Sequence, residues 1–140
     1  MYSTLFRRNS LSLLNTLELQ ARLANFQGSQ ALYPFILGPF TLGLCTEGVQ
    51  WLKENTDCSW LVNAILRQQH DPHSVITRES FQVWTLKVNA EKAAMLIAED
   101  GSGQVLMREE IHSTDFPLSE IVLWVEHSEK GPILRLPNEH

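Results

Sequence analysis

Four side chains that can bind a transition metal lie within 29 residues of one another: Cys45, Cys58, His70 and His73. Thiolate sulfur and imidazole nitrogen are preferred ligands of Zn²⁺, and four of them can enclose the ion tetrahedrally. However, the chain lacks the close cysteine pair that usually forms half of a structural zinc site. These four residues are therefore the candidate metal ligands. The favoured interpretation is that the cysteines are buried core thiols and that the histidines lie in a solvated loop. No cofactor is predicted.

The same stretch also contains the parts of a small hydrolase or metal-binding enzyme that would use His70, His73 and Cys58. A helix N-terminus near Cys58 would activate its thiol, whereas the neighbouring carboxylate of Asp57 works against this. His70 follows at the far end of the same predicted helix, about 18 Å from Cys58 at roughly 1.5 Å per residue. The two side chains therefore cannot meet through that helix alone.

Large apolar side chains on two predicted strands favour binding of a partner. Phe81 lies on one alternation of its strand and Trp84 on the other, and the run around Trp124 is likewise apolar on both sides. A few helices can fully cover only one face of such a sheet, and exposed apolar sheet surface usually marks a protein interface. We expect Trp84, Trp124 and Phe81 to bind a partner, which is either another protein or a second copy in a homodimer.

The first half of the chain predicts helices. Apolar spacing predicts an N-terminal helix over residues 10–26, within a segment 1–30. Thr46 offers an N-cap hydroxyl for a second helix that ends near Asn55, and a third helix covers 60–66. Two prolines and two glycines exclude a long helix over 33–43, which could carry one or two short extended pieces. Residues 31–70 are predicted to form a helical layer.

The second half of the chain predicts strands. Runs rich in apolar, aromatic and β-branched residues are separated by short polar or glycine-containing connections, which indicate an antiparallel meander over 78–137. The predicted strands cover 81–88, 93–98, 105–111, 121–125 and 133–136. We predict a single α+β domain over 1–140, with N-terminal helices packed on a four- to five-stranded antiparallel meander sheet.

Composition restricts the function classes. The 140 residues fit one domain, and their net charge of −5 argues against nucleic-acid binding. No apolar run is long enough to span a membrane, so no membrane partner is expected. The N-terminus lacks the continuous apolar core of a secretory signal, and two cysteines do not make a disulfide framework, so we expect a cytoplasmic protein.

Several blocks of the sequence resemble an uncharacterised family of small bacterial proteins, a domain of unknown function found in cyanobacteria and near plasmid and phage genes. The blocks are 46–49, 60–65, 81–88, 99–103 and 114–118, so that the resemblance covers roughly residues 33–137. The resemblance implies a soluble, single-domain bacterial protein and carries over no catalytic residue.

Three function classes follow from these observations. The first is a non-catalytic protein–protein interaction protein, which the resemblance suggests could be an accessory or inhibitor encoded on a mobile element. The alternative is a small hydrolase or metal-binding enzyme. The third is a nucleic-acid-associated protein whose weakly basic first half contacts phosphates.

Overall fold

The computed structural model describes residues 16–26 and 31–139, in which the helices lie in the first half of the chain together with two strands, and five further strands follow. In this part of the chain three α-helices and seven strands are present. In chain order they are α1 (Thr16–Ala24), β1 (Leu32–Leu37), β2 (Phe40–Thr46), α2 (Glu47–Thr56), α3 (Ser59–Gln68), β3 (Phe81–Val88), β4 (Ala94–Glu99), β5 (Val105–Ile111), β6 (Glu120–Ser128) and β7 (Gly131–Arg135). Two 3₁₀ turns, Val75–Arg78 and Pro137–Glu139, complete the chain order.

All seven strands belong to one mixed sheet, in the order β1-β2-β7-β6-β3-β4-β5. Every neighbouring pair is antiparallel except β2 and β7, which are parallel. The predicted α+β class is confirmed, but the four- to five-stranded antiparallel meander is inexact, because the sheet has seven strands, includes one parallel pair and is not connected as a simple meander. After β5 the chain crosses back to place β6 beside β3, so only β3, β4 and β5 follow one another as in a meander.

The main difference from the predicted helical layer over 31–70 lies in residues 32–46, where two strands extend the short extended pieces expected over 33–43. They form the hairpin β1–β2, whose tight turn contains Gly38 at a φ of +59°, a conformation that glycine adopts without steric cost. The predicted α1 is observed from Thr16 to Ala24, and residues 10–15 of that prediction lie outside the described residues.

The core fills the space between one face of the sheet and the helices α2 and α3. Side chains alternate along the central strands, so that every second residue of β3, β4 and β6 is buried. Helix α3 is apolar on most sides and buries four side chains, namely Leu61, Val62, Ile65 and Leu66. We call this covered side the helix face and the opposite side the open face.

A glycine in β2 allows the strand to approach both β7 and α3. A Cβ atom on Gly43 would lie 2.9 Å from the carbonyl oxygen of Pro132 and 2.9 Å from a methyl group of Leu66. Any larger residue would therefore push β2 away from its neighbours. This close packing fixes the hairpin as the outer end of the sheet.

The buried carboxylate of Glu139 joins the start of α2 to the end of β7. It accepts hydrogen bonds from the hydroxyl of Thr46 at 2.5 Å, the amide of Gly48 at 2.9 Å and the amide of Leu136 at 3.0 Å. The first amides of a helix lack partners within the helix, and an anion there is also favoured by the helix dipole. The hydroxyl of Thr46 makes no cap bond of its own, so the predicted cap function is taken over by Glu139.

Replacing Glu139 tests this connection. We expect Glu139→Ala to lower the free energy of unfolding by about 2–4 kcal/mol, because it leaves buried donors without an acceptor. Glu139→Gln keeps one acceptor oxygen and should cost less. Urea denaturation measures both, with Glu129→Ala on an exposed turn as the control. Equal stability of the Glu139→Ala and Glu129→Ala variants would show that the contact contributes nothing.

Candidate functional site

The two cysteines of the predicted metal site are core residues. Cys45 lies in β2 and Cys58 precedes α3, and both are fully buried free thiols. Burial raises the pKa of Cys45 to about 11 and also raises the pKa of Cys58. A protonated, inaccessible thiol is neither a metal ligand nor a nucleophile at neutral pH, so the geometry favours neither the zinc site nor the hydrolase.

The two histidines of that site make contacts of their own that do not involve the thiols. The Nε2 atom of His70 lies 2.6 Å from the carbonyl oxygen of Leu42, so this imidazole connects the end of α3 to β2. His73 is exposed, and its backbone amide donates to Asp71 within a turn. Among residues 16–26 and 31–139, no group of three or more His, Cys, Asp or Glu side chains is arranged to hold a metal.

Trp84 does not belong to the predicted partner surface, because it points to the helix face and is 1% exposed. Its indole N–H donates to Oε1 of Gln82 at 2.8 Å. The amides of Gln82 and Gln69 donate to each other, both at 2.8 Å, and His127 lies 2.8 Å from Oε1 of Gln69. These residues form a satisfied polar network inside the core, which orders the packing of α3 on the sheet.

The position of His127 in this network determines its protonation. Oε1 of Gln69 is an acceptor, so the Nε2 atom of His127 carries a hydrogen. Burial lowers the pKa of His127, and the neighbouring His70 lowers it further. Neutral His127 is therefore the form that the fold favours.

Phe81 and Trp124 both lie on the open face, as the partner-binding prediction requires. Their rings pack edge to face with centroids 5.4 Å apart, and both side chains are half-buried. The rest of this face is also partly covered, and Arg135 pairs with Glu126 at 3.4 Å beside the aromatic rings. The open face therefore has an apolar centre, but neighbouring side chains of the same face cover part of it.

The most exposed apolar cluster lies elsewhere, on the hairpin β1–β2. Four of its side chains, which we call the hairpin patch, are exposed by 38% to 67%: Tyr33, Ile36, Leu37 and Phe40. Strand β1 is the edge of the described sheet, and Pro34 and Pro39 are exposed beside the patch. This surface was not predicted from the sequence, although one signal was present: residues 23–46 contain no charged side chain.

The opposite edge of the sheet is different. Strand β5 exposes three consecutive charged residues, Arg108, Glu109 and Glu110, and its exposed apolar residue is Val105. Charged side chains on an edge strand oppose pairing with other chains. One edge of the sheet is thus protected by charge, and the other exposes apolar side chains.

A shallow, open cavity of about 470 Å³ lies where β3 and β5 end and β4 begins. Polar residues on its wall include Lys87, Asn89, Glu110 and His112. The side chain of Asn89 is occupied by the turn itself, accepting from the amides of Glu91 and Ala93. None of the candidate site residues predicted from the sequence lines this cavity, and it adds no support for the hydrolase.

Comparisons with known proteins give a family. A model described as a family of unknown function (DUF6876) matches residues 17–140. No curated protein and no solved structure matches the chain. The expectation of a family of unknown function is confirmed, whereas its bacterial and mobile-element origin stays a prediction. Within the described residues, no helix has both the length and the apolar character to cross a lipid bilayer.

The environment of the thiols predicts their reactivity. We expect Cys45 and Cys58 to react with a thiol reagent at neutral pH at least about a hundredfold more slowly in the native protein than in urea, because both are buried and protonated. Colour development with an aromatic disulfide reagent measures the rate. Rapid labelling of either thiol in the native state would contradict the placement of that residue.

The lowered pKa of His127 predicts a pH dependence of stability. The unfolded chain binds this proton at a higher pH than the folded chain, so the stabilisation is complete above about pH 6.5 and is lost as the pH falls below it. Urea denaturation between about pH 7.5 and 5.5 should show a smaller loss for His127→Gln than for the wild type. His73→Gln, an exposed control, should match the wild type, and identical slopes for all three proteins would exclude this role.

Proposed function

The chain belongs to the family DUF6876, and we propose that it is a non-catalytic protein that binds a protein partner through the hairpin patch. The observation that carries the proposal is the exposure of four large apolar side chains together on one edge of the sheet. Monomeric soluble proteins rarely expose apolar patches of this kind unless a partner covers them.

The hairpin patch is supported on a rigid base. Strand β2 pairs with β7 through Leu44 and Cys45, and the ammonium of Lys53 lies 4.7 Å from the ring centroid of Phe35. An edge that is held in place loses little conformational freedom when a partner binds, and this favours affinity.

The open face is the weaker candidate for the same function. Phe81 and Trp124 are each covered in part by the other ring, so a partner would gain less apolar contact there than on Phe40 or Ile36. We retain the two aromatic residues as a second surface in the test below. An accessory or inhibitory role of a protein encoded on a mobile element is compatible with such binding and is part of the proposal.

Photo-crosslinking tests the proposed surface. A photoreactive amino acid is placed at Phe40 on the hairpin patch, at Val105 on the other edge, or at Thr85 in the middle of the open face. Irradiation in the cells that encode the protein should give a discrete crosslinked product from position 40, because a partner covers that side chain. Positions 85 and 105 should give little or none.

A matched pair of variants provides the control. With the photoreactive residue kept at position 40, Ile36→Ser combined with Leu37→Ser should abolish the product, whereas Val105→Ser, which replaces another exposed apolar residue, should preserve it. A product that survives the double substitution, or that forms from position 85 instead, would overturn the hairpin patch as the binding surface.

A further inference from the structure

Two histidine side chains meet where the end of α3 approaches the sheet. The Nε2 atom of His127 in β6 lies 2.8 Å from Oε1 of Gln69. The next residue, His70, places its own Nε2 atom 2.6 Å from the carbonyl oxygen of Leu42 in β2. The two imidazoles are therefore held at adjacent residues of the chain, and a charge on His70 acts on His127.

Protonation adds charge to this pair without adding a contact. Both rings already donate through Nε2, because the side-chain oxygen of Gln69 and the carbonyl oxygen of Leu42 are acceptors. A further proton goes to Nδ1, which has no hydrogen-bond partner in the part of the chain that the structure describes. Two charged rings would therefore repel each other in a partly buried position.

No carboxylate of residues 16–26 and 31–139 forms an ion pair with either ring. The surrounding segments carry the following titratable side chains: Cys45 in β2, Arg67 in α3, Asp71, His73, Arg78 and Glu79 between α3 and β3, Lys87 in β3, Glu126 in β6, Glu129 and Lys130 in the turn after it, and Arg135 in β7. Arg135 pairs with Glu126, and β7 places Pro132 opposite His127. A second positive charge at the pair is thus not compensated.

His70 is the member of the pair that can move. His127 is bonded to Gln69, whose amide also bonds Gln82 inside the core, so its departure would leave buried polar atoms without partners. The side chain of His70 is exposed and can turn into water at the cost of its contact with Leu42. Repulsion within the pair therefore breaks the contact with β2.

That contact holds the part of β2 that the sheet holds least. Only Leu44 and Cys45 have register partners in β7, and Leu42 lies beyond them toward the turn of the hairpin. We propose that His70 and His127 form a pH-sensitive latch, which holds β2 on α3 while the rings are neutral and releases it when both are charged. The proposal goes beyond the proposed function, since it concerns how the hairpin is held and not what binds to it.

The protonation of His127 sets the direction and the pH range of the release. Burial lowers the pKa of His127, and the charge of His70 lowers it further, so the closed form takes up this proton at a lower pH than a released form. The latch is therefore fully closed above about pH 6.5 and weakens as the pH falls below that value.

Labelling of Cys45, a buried residue of β2, tests the latch. A maleimide is added between about pH 7.5 and 5.5, and the label on Cys45 is measured by peptide mass. Each rate is divided by the rate of the same thiol in the urea-unfolded chain, which removes the pH dependence of the thiol itself. The ratio should rise at least about threefold as the pH falls, because one linked proton changes an equilibrium by up to about tenfold per pH unit.

Two substitutions show whether the pair is responsible. His70→Gln and His127→Gln each leave at most one charge in the pair, so most of the rise should be lost. The exposed control His73→Gln should rise as the wild type does. A wild-type ratio that stays constant with pH, or one that rises equally in His70→Gln, overturns the latch.

Low concentrations of urea separate local release from unfolding of the whole chain. The urea dependence of an opening scales with the surface that it exposes, so release of β2 alone should depend on urea only weakly. A rise at low pH with the full urea dependence of global unfolding also overturns the proposal, because β2 would then not be released by itself.

Discussion

The position of the hairpin depends on the hydrogen bonds of one buried carboxylate. Glu139 binds the end of β2, the first turn of α2 and the end of β7 through Thr46, Gly48 and Leu136. Its neighbour Asn138 donates to the carbonyl oxygens of Leu23 and Ala24 at the end of α1. The turn Pro137–Glu139 therefore holds four helical and strand termini together. Without it, the parallel pairing of β2 with β7 would lose its support.

The polar network around Gln69 and Gln82 stabilises the other side of the same arrangement. It joins the end of α3 to β3 and β6, while His70 joins it to β2. Because nearly every polar atom in this network has a partner, burying it costs little, and it fixes how the helices lie on the sheet. The helix face is thereby closed, and the apolar surface that remains available lies on the hairpin and the open face.

The sequence predicted the second half of the fold well and the first half less well, for a physical reason. Strands β3 and β5 have the predicted bounds, because their runs of apolar and β-branched residues end at clear turn signals. Strands β1 and β2 contain proline and glycine and do not alternate, so local patterns indicated short extended pieces over 33–43 but not their length or their pairing as a hairpin. The pairing of Leu44 with Ile133 connects residues far apart in the chain, which no local pattern encodes.

The dependence of the fold on contacts between distant residues also explains why the sequence predicted the candidate sites only in part. Alternation placed Phe81 and Trp84 on opposite sides of one strand, but the side that the helices cover depends on the crossover that carries α2 and α3. Spacing likewise could not show that Cys45 and Cys58 would both be enclosed by the core. The absence of charged residues over 23–46 is a different kind of signal, because it describes the composition of a surface and not the positions of helices and strands.

The distribution of charge over the two edges supports the proposal that the exposed apolar hairpin is the binding surface. Residues 71–140 carry six basic and twelve acidic side chains, a net charge of −6, and they include the whole of β5. Repulsion between these charges opposes association through that half of the sheet. The same repulsion is weak at β1, which is the edge farthest from β5 in the strand order. A sheet that exposes apolar side chains at one edge and charged side chains at the other therefore favours the hairpin, rather than β5, as the proposed binding surface.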